Sequence, residues 1–447
     1  MLSVFYNTQK ISKNQVYEAE DFRISKKGCI LTLKKIEEKP RPHCPNCGGR
    51  MHIYDHNTRL IKDMPSFPDL PQYLEVSYKR YRCPSCGKTI TEDTGLNYPG
   101  TRISYRAAEW IKCFLRLNMT VKAISSITGI HWDTVRFIHQ GVIDHALKAR
   151  EEERKASSYR PRYLAVDEFA MHKGHSYATC VMDLELGEII WVGKGRSAAD
   201  FSRFFEETDP DYLKQVEAFA MDMNAAYNRV VEQHLPHAKI VYDRFHMQAQ
   251  YGRDVLGSVR LQEAEEHREK AKDLKRQAAF SAHEWQQEEL EAQRRKETAM
   301  AVSLKKLRWP ILRRSDNLGE RQQQVLEKIL SEHVNLMVCY AMKEEMCRLF
   351  ELKDPIEAEE GWCAWFEAAR SSKIEALINF GRLKQSRLDG LIEHARHPIS
   401  TGRLEGMNNK IKVCKRIAYG FRDDKYFFSL IRYLTLPGVR YRSHTFP

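Results

Sequence analysis

Two short cysteine motifs constrain this chain more than any other feature. Cys44-Pro45-Asn46-Cys47-Gly48 and Cys83-Pro84-Ser85-Cys86-Gly87 are matched Cys-x-x-Cys pairs, each with proline inside and glycine after. Such a knuckle turns the backbone tightly and aims two thiolates at one point. Two knuckles supply the S4 tetrahedron that Zn2+ prefers, with bonds of about 2.3 Å. Four protein ligands leave no open position for a substrate, so Cys44, Cys47, Cys83 and Cys86 are expected to hold a structural zinc. A redox pair would call for a thioredoxin-like βαβ pattern, which is not seen here. The seven other cysteines (Cys29, Cys113, Cys180, Cys339, Cys347, Cys363 and Cys414) stand alone and are expected to be core thiols.

The 447 residues suggest two to four domains. No run of 18 or more apolar residues occurs, so no membrane span is expected. The N-terminal stretch lacks the apolar run and small-residue site of an export signal, which reads as cytoplasmic. A net charge of +12 predicts attraction to polyanions, most often nucleic acid. That charge is local. Residues 401–447 hold ten Lys/Arg against three acids, whereas 251–300 hold ten against eleven.

Residues 1–40 alternate in the manner of strands, and a 3.6-residue period takes over from 101 to 150. Thr120 caps a helix that Gly129 ends, and a second helix begins at His131. Helix, glycine turn, helix is the layout of a helix-turn-helix, whose second helix enters the major groove. Its exposed leading residues, His131, Trp132, Thr134 and Arg136, are candidate DNA contacts. From Arg162 three strands form a meander, followed by strand, helix and strand with parallel character, the outline of a ribonuclease-H-like α/β core. We expect residues 1–98 to form the zinc ribbon, 99–155 the helix-turn-helix, 160–250 with 396–447 the core, and 251–395 a helical insertion.

Two apolar strands of that core end in acids, at Asp167 and Asp222, and ligands gather at the carboxyl ends of strands in open α/β sheets. Asp243 follows a third strand and is the rival ligand, while Asp183 inside the meander reads as structural. A third acid, Glu405, lies on a C-terminal helix. Leu404, Met407, Ile411, Cys414 and Ala418 mark that helix's buried stripe, and Glu405, Asn408, Asn409 and Lys412 share a polar face. Charge alone leaves Glu405 equally a salt-bridge partner or a metal ligand. Lys410, Lys412, Lys415 and Arg416 extend toward phosphate.

Taken in order, the ribbon, the paired helices, Ala165-Val166-Asp167-Glu168-Phe169, Asp222-Met223-Asn224-Ala225-Ala226-Tyr227, Asp243-Arg244-Phe245-His246 and Gly402-Arg403-Leu404-Glu405-Gly406-Met407-Asn408-Asn409 resemble the bacterial insertion-sequence transposases of the ISL-three family. The resemblance spans nearly the whole chain from about residue 40. It implies a ribonuclease-H-like core interrupted by a helical insertion, with a triad of Asp167, Asp222 and Glu405, and a supporting role for Asp243, Arg244 and His246. Three acids in one site repel one another unless divalent cations neutralise them, and hard oxygen ligands suit Mg2+ or Mn2+. Two such ions would serve an in-line displacement at phosphorus. The expected partners are the ends of the element, target DNA and further copies of the chain. Two rival readings are a DNA-binding regulator on an inactive core and a general metal-dependent nuclease.

Overall fold

The computed structural model describes residues 17–36, 40–67, 70–117, 119–171, 176–418 and 421–438. The expected strands before residue 17 and the basic residues Arg440 and Arg442 lie outside them. The chain divides into two compact units, Met1–Ser157 with Cys414–Pro447, and Ser158–Val413. The division falls inside a helix, whereas the sequence reading carried the core on to residue 447.

In the first unit, β1 (Tyr17–Ser25) and β2 (Gly28–Lys35) form a hairpin, and β2 lies parallel to β4 (Leu70–Arg82). Gly28 has φ of 124°, and a Cβ there would stand 2.1 Å from the Pro71 carbonyl oxygen, so the close approach of β4 requires glycine. The long strand β3 (His52–Phe67) pairs antiparallel with β4, and β5 (Thr89–Thr91) pairs with β4 beyond the second knuckle. Tyr17, Leu31, Leu33, Ile61, Leu74, Val76 and Leu96 alternate inward to make this sheet's core.

Three helices follow: α1 (Tyr105–Arg116), α2 (Val121–Thr128) and α3 (Trp132–Ala156). The expected caps are present. Thr120 Oγ1 accepts the Ala123 amide at 3.0 Å, and Gly129 ends α2 at φ of 62°. Ala108, Ile111, Ile124, Val135 and Ile138 bury against one another between the helices. Buried Asp63 on β3 accepts from Ser104 Oγ at 2.5 Å and from Arg106, which ties the sheet to the start of α1.

The second unit is built on a five-stranded sheet in the order β10–β9–β6–β7–β8. The meander β6 (Tyr163–Ala170), β7 (Tyr177–Asp183) and β8 (Glu188–Lys194) is antiparallel, while β9 (Ala218–Met221) and β10 (Lys239–Tyr242) run parallel to β6. Parallel strands need crossover helices, here α4 (Ala198–Glu207) with the single turn α5 (Pro210–Leu213), then α6 (Ala225–His234). Phe201, Phe204 and Phe205 of α4 bury against Phe219, Val230 and Val231. Asp183 accepts the amides of Glu185 and Leu186 in the β7–β8 turn, the structural role expected for it.

The insertion is helical, as the period predicted. It comprises α7 (Arg244–Tyr251), a π-helical turn (Gly252–Leu256), α8 (Gly257–Phe280), α9 (Glu284–Lys306), α10 (Glu320–Glu332), α11 (Val334–Leu349), α12 (Pro355–Ser371), α13 (Glu375–Gln385) and α14 (Leu388–Arg396). Its core centres on Tyr251, Trp362, Trp365, Phe366 and Phe380. α8 and α9 pack as a long hairpin whose buried residues are mostly near its base, Val259, Arg260, Glu263 and Ala264 on α8 and Ala301 and Leu304 on α9. After the insertion come α15 (Gly402–Ile417) and α16 (Asp424–Tyr433), and α16 packs on α3 within the first unit.

Four of the seven lone cysteines, Cys29, Cys180, Cys339 and Cys347, are buried as expected, but Cys113 and Cys363 are exposed on outer helix faces. Among the described residues no helix is long and apolar enough to cross a membrane.

Candidate carboxylate site and zinc centre

The two knuckles superpose their chemistry. Gly48 and Gly87 take φ of 70° and 72°, and their amides donate back to the Cys44 and Cys83 carbonyls at 2.9 and 3.0 Å. The Cys44 and Cys83 amides in turn donate to Gly49 and Lys88 carbonyls, both at 2.8 Å. Each loop is therefore closed by backbone alone. The four sulfurs lie within 4.8 Å of one another, with Cys44–Cys86 and Cys47–Cys83 at 3.4 Å and Cys47–Cys86 at 3.7 Å. A tetrahedron with Zn–S bonds of about 2.3 Å has edges of ~3.8 Å. The donor set thus fits zinc in element, number and spacing. The Cys86 amide, directed at the Cys83 sulfur, helps hold that thiol down to about 6, toward the thiolate a metal needs.

The carboxylates are set by strand register. β6 pairs with β9 as Tyr163↔Ala218, Leu164↔Phe219 and Ala165↔Ala220, and β9 pairs with β10 as Met221↔Tyr242. Two residues further along, Asp167 and Asp222 stand at one level, and Asp243 stands beside Asp222 on the third strand. Asp167 is not at the end of its strand, as the sequence suggested. β6 continues to Ala170 along β7 and outruns only β9, so Asp167 sits mid-strand where its parallel neighbour stops. The meander on the other side leaves it half-buried, and the loss of solvent pushes its carboxyl up to about 6. The Glu168 amide, donating to Oδ1 at 2.7 Å, works the other way. Asp222 is exposed at the tip of β9, with Nδ1 of His246 3.9 Å from its Oδ2.

Helix α15 carries the third acid, and three contacts seat it on this unit. Thr401 donates to the buried Asp243 carboxylate. Arg403 donates to the Leu184 and Glu185 carbonyls at 2.5 and 3.2 Å. Asn408 Nδ2 donates to Asp167 Oδ2 at 2.7 Å. Asp243 is thereby committed to Thr401 and to the Phe245 amide, which it caps at 3.2 Å, and it acts as a brace between β10 and α15. Asn408 is the residue that sequence reasoning placed wrongly. It lies on the buried face with Leu404, Met407 and Ile411, not among the polar residues, and the stripe ends there because Cys414 is half-buried and Ala418 exposed. Its only signal was its position one turn beyond Glu405. Asn408 Oδ1 is buried and meets no donor, so an oxygen with a lone pair to spare belongs to the side chain that holds Asp167. Such an oxygen-only donor set suits a hard divalent cation. Among the described residues only the four cysteines gather donor atoms all within 4.8 Å, so Asp167, Asp222 and Glu405 are spread more widely than that.

A transposase family model of the ISL3 type matches residues 164–431, well over half of the chain, and a model for the zinc finger of the transposases IS204/IS1001/IS1096/IS1165 matches residues 40–86. The chain belongs to the ISL3 transposase family. It is 34% identical over 390 residues, 87% of each chain, to the transposase for insertion sequence element IS1001 of Bordetella parapertussis. It is 25% identical over 403 residues, 89% of this chain and 86% of the relative, to the transposase for insertion sequence element IS1557 of Mycobacterium tuberculosis.

In this ISL3-family chain the candidate DNA-contact residues are unequally available. His131 and Trp132 are exposed at the start of α3, and Thr134 is half-buried. Arg136 is not among the exposed residues, contrary to expectation. Its guanidinium pairs with Asp423 at 2.5 Å and stacks on Tyr426, 4.9 Å from the ring centroid, because α16 folds back along α3. On α15, Lys412 and Arg416 are exposed while Lys410 and Lys415 are partly covered. Arg244 is exposed at the first turn of α7.

Proposed function

We propose that this chain is a DDE transposase which binds the ends of its insertion sequence and cuts and joins DNA strands at Asp167, Asp222 and Glu405. On this reading the sheet of the second unit is a ribonuclease-H-like core. The ribbon and the α1–α3 helices, a helix-turn-helix, read the element ends. Lys410, Lys412, Lys415 and Arg416 hold phosphates. The observation that carries the reading is the Asn408–Asp167 hydrogen bond. It ties the helix bearing Glu405 to the strand bearing Asp167, at the level where register sets Asp222.

Asp167, Asp222 and Glu405 would hold Mg2+ or Mn2+, which when bound supplies Lewis acidity for displacement at phosphorus. The chain's own work is placement. Asn408 and the Glu168 amide fix both oxygens of Asp167, and Asp243 fixes the start of α15 through Thr401. A water attacks the phosphodiester at the element end and releases a 3′-hydroxyl. That hydroxyl then attacks a target phosphodiester in the same site and expels a target 3′-oxygen. Because two ends must be brought together, the working species is a dimer or larger assembly on DNA.

The test compares wild type with Asp167→Asn on DNA carrying the element's ends, with Mg2+ or Mn2+ present. Nicking should vanish in the variant while binding to the ends persists. A variant that still cuts would contradict the assignment. A wild-type protein that binds the ends and cuts under neither metal would instead favour a regulator on an inactive core.

A further inference from the structure

A cleft of about 860 Å3 opens where the α8–α9 hairpin meets the rest of the insertion, within the size range of ligand sites. α7 contributes Phe245, the π-helical turn Gly252 and Arg253, and α8 Arg260 and Leu261. The chain after α9 contributes Arg308, Trp309 and Leu312. A π-helical turn inside a helix is uncommon and tends to occur at functional sites. The cleft's floor is drawn tight there, since a Cβ on Gly252 would fall 2.5 Å from Leu312 Cδ2.

Two features define what the cleft would accept. The first is exposed aromatic surface, with Trp309 66% and Phe245 48% exposed. The second is unbalanced positive charge. No lining residue is acidic. Arg253 pairs with Asp254 outside the lining, Nε to Oδ1 at 3.3 Å, whereas among the described residues neither Arg260 nor Arg308 has a carboxylate within ion-pair distance. Arg260 is buried, with Nη1 donating to the Leu304 and Lys305 carbonyls at 3.0 Å. Burial, and then the charge of Arg308, lower its proton affinity. Arg308 lies over the Trp309 ring, 5.1 Å from its centroid. Phe245 immediately precedes His246, which stands beside Asp222. Cleft and carboxylate site therefore share the first turn of α7.

We infer that this cleft binds an unpaired nucleotide of the DNA being processed, its base stacked on Trp309 and Phe245 and its phosphate held by Arg308. This rests on the transposase reading above. An aromatic face takes any base, but only one out of the helical stack can reach it, and a guanidinium completes the match to phosphate. A peptide or a second copy of this chain would find no acid in the cleft to answer its own basic groups.

The experiment uses the full-length protein with a short oligothymidylate and a fully paired duplex of the same length. Trp309→Ala should weaken oligothymidylate binding roughly five- to a hundredfold and leave duplex binding unchanged. Trp309→Phe should restore most of the loss. Ultraviolet cross-linking of an iodouracil-substituted strand should mark Trp309 or Phe245. Equal single-strand affinity in wild type and Trp309→Ala, with cross-links confined to other segments, overturns the cleft assignment while the transposase reading stands. A Trp309→Ala variant that changes sedimentation and not DNA binding also overturns it, in favour of a second copy as occupant. Wild-type protein that binds neither DNA overturns both readings.

Discussion

Asn408 shows how one side chain connects a helix to a strand 241 residues earlier. Its amide nitrogen positions Asp167, and its buried oxygen meets no donor. Removing it should free Asp167 to rotate and take away one oxygen from the site. Asn408→Ala is therefore expected to lower the cleavage rate about 10–100-fold, the usual cost of losing a group that orients a metal ligand. It should also raise the Mn2+ concentration needed for half-maximal rate, a readout that a merely structural role would leave in place. An unchanged metal dependence would remove Asn408 from the site. Asp243 shows the opposite relation. It stands at the level of the other two acids, yet its partners are Thr401 and the Phe245 amide, so its carboxylate is spent on bracing. Sequence alone left it a rival ligand because nothing local reveals Thr401 as its partner.

At the scale of elements, helix α16 closes the first unit through α3. Tyr426 Oη lies 2.7 Å from His139 Nδ1, and burial lowers the His139 pKa to about 4. The ring stays neutral in the folded chain where the unfolded chain would take up a proton, so its stabilising contribution is full above about pH 6.5 and is lost as pH falls toward 4. Replacing His139 with Gln should flatten the fall in urea midpoint between pH 7.5 and 5, a fall worth at most about 2 kcal/mol. An equally steep profile in the variant would show that His139 is not the group responsible. The zinc knuckles are the other decisive element, and they were fully legible, because Cys-x-x-Cys with a following glycine fixes both geometry and chemistry locally. Cys83→Ser should abolish stoichiometric zinc and melt the β3–β4 sheet well below wild type, since zinc supplies on the order of 10 kcal/mol in small modules. Full zinc content with unchanged melting would refute the four-thiolate site.

Over the whole molecule, the order of the second unit's strands and crossover helices could be read in advance, since alternation and the 3.6-residue period are local signals, whereas β3, β5 and α16 of the first unit were not read. What could not be read depends on contacts far apart in sequence. The ion pair of Arg136 with Asp423 spans 287 residues and turns an expected surface arginine into a packed one. The central strand passes Asp167 because β7, not β9, decides where it ends. The cleft at Trp309 has no sequence motif and exists only because a π-helical turn, α7 and the segment after α9 converge. The central claim is that Asp167, Asp222 and Glu405 act as one metal-dependent site for both cutting and joining. It is tested most directly by a strand-transfer assay on element-end DNA with Mn2+ or Mg2+, comparing wild type with Asp167→Asn, Asp222→Asn and Glu405→Gln. The account predicts nicking at a fixed end followed by joining in wild type, and loss of both steps in each variant. Any one variant that still joins a pre-cut end at the wild-type rate would contradict it.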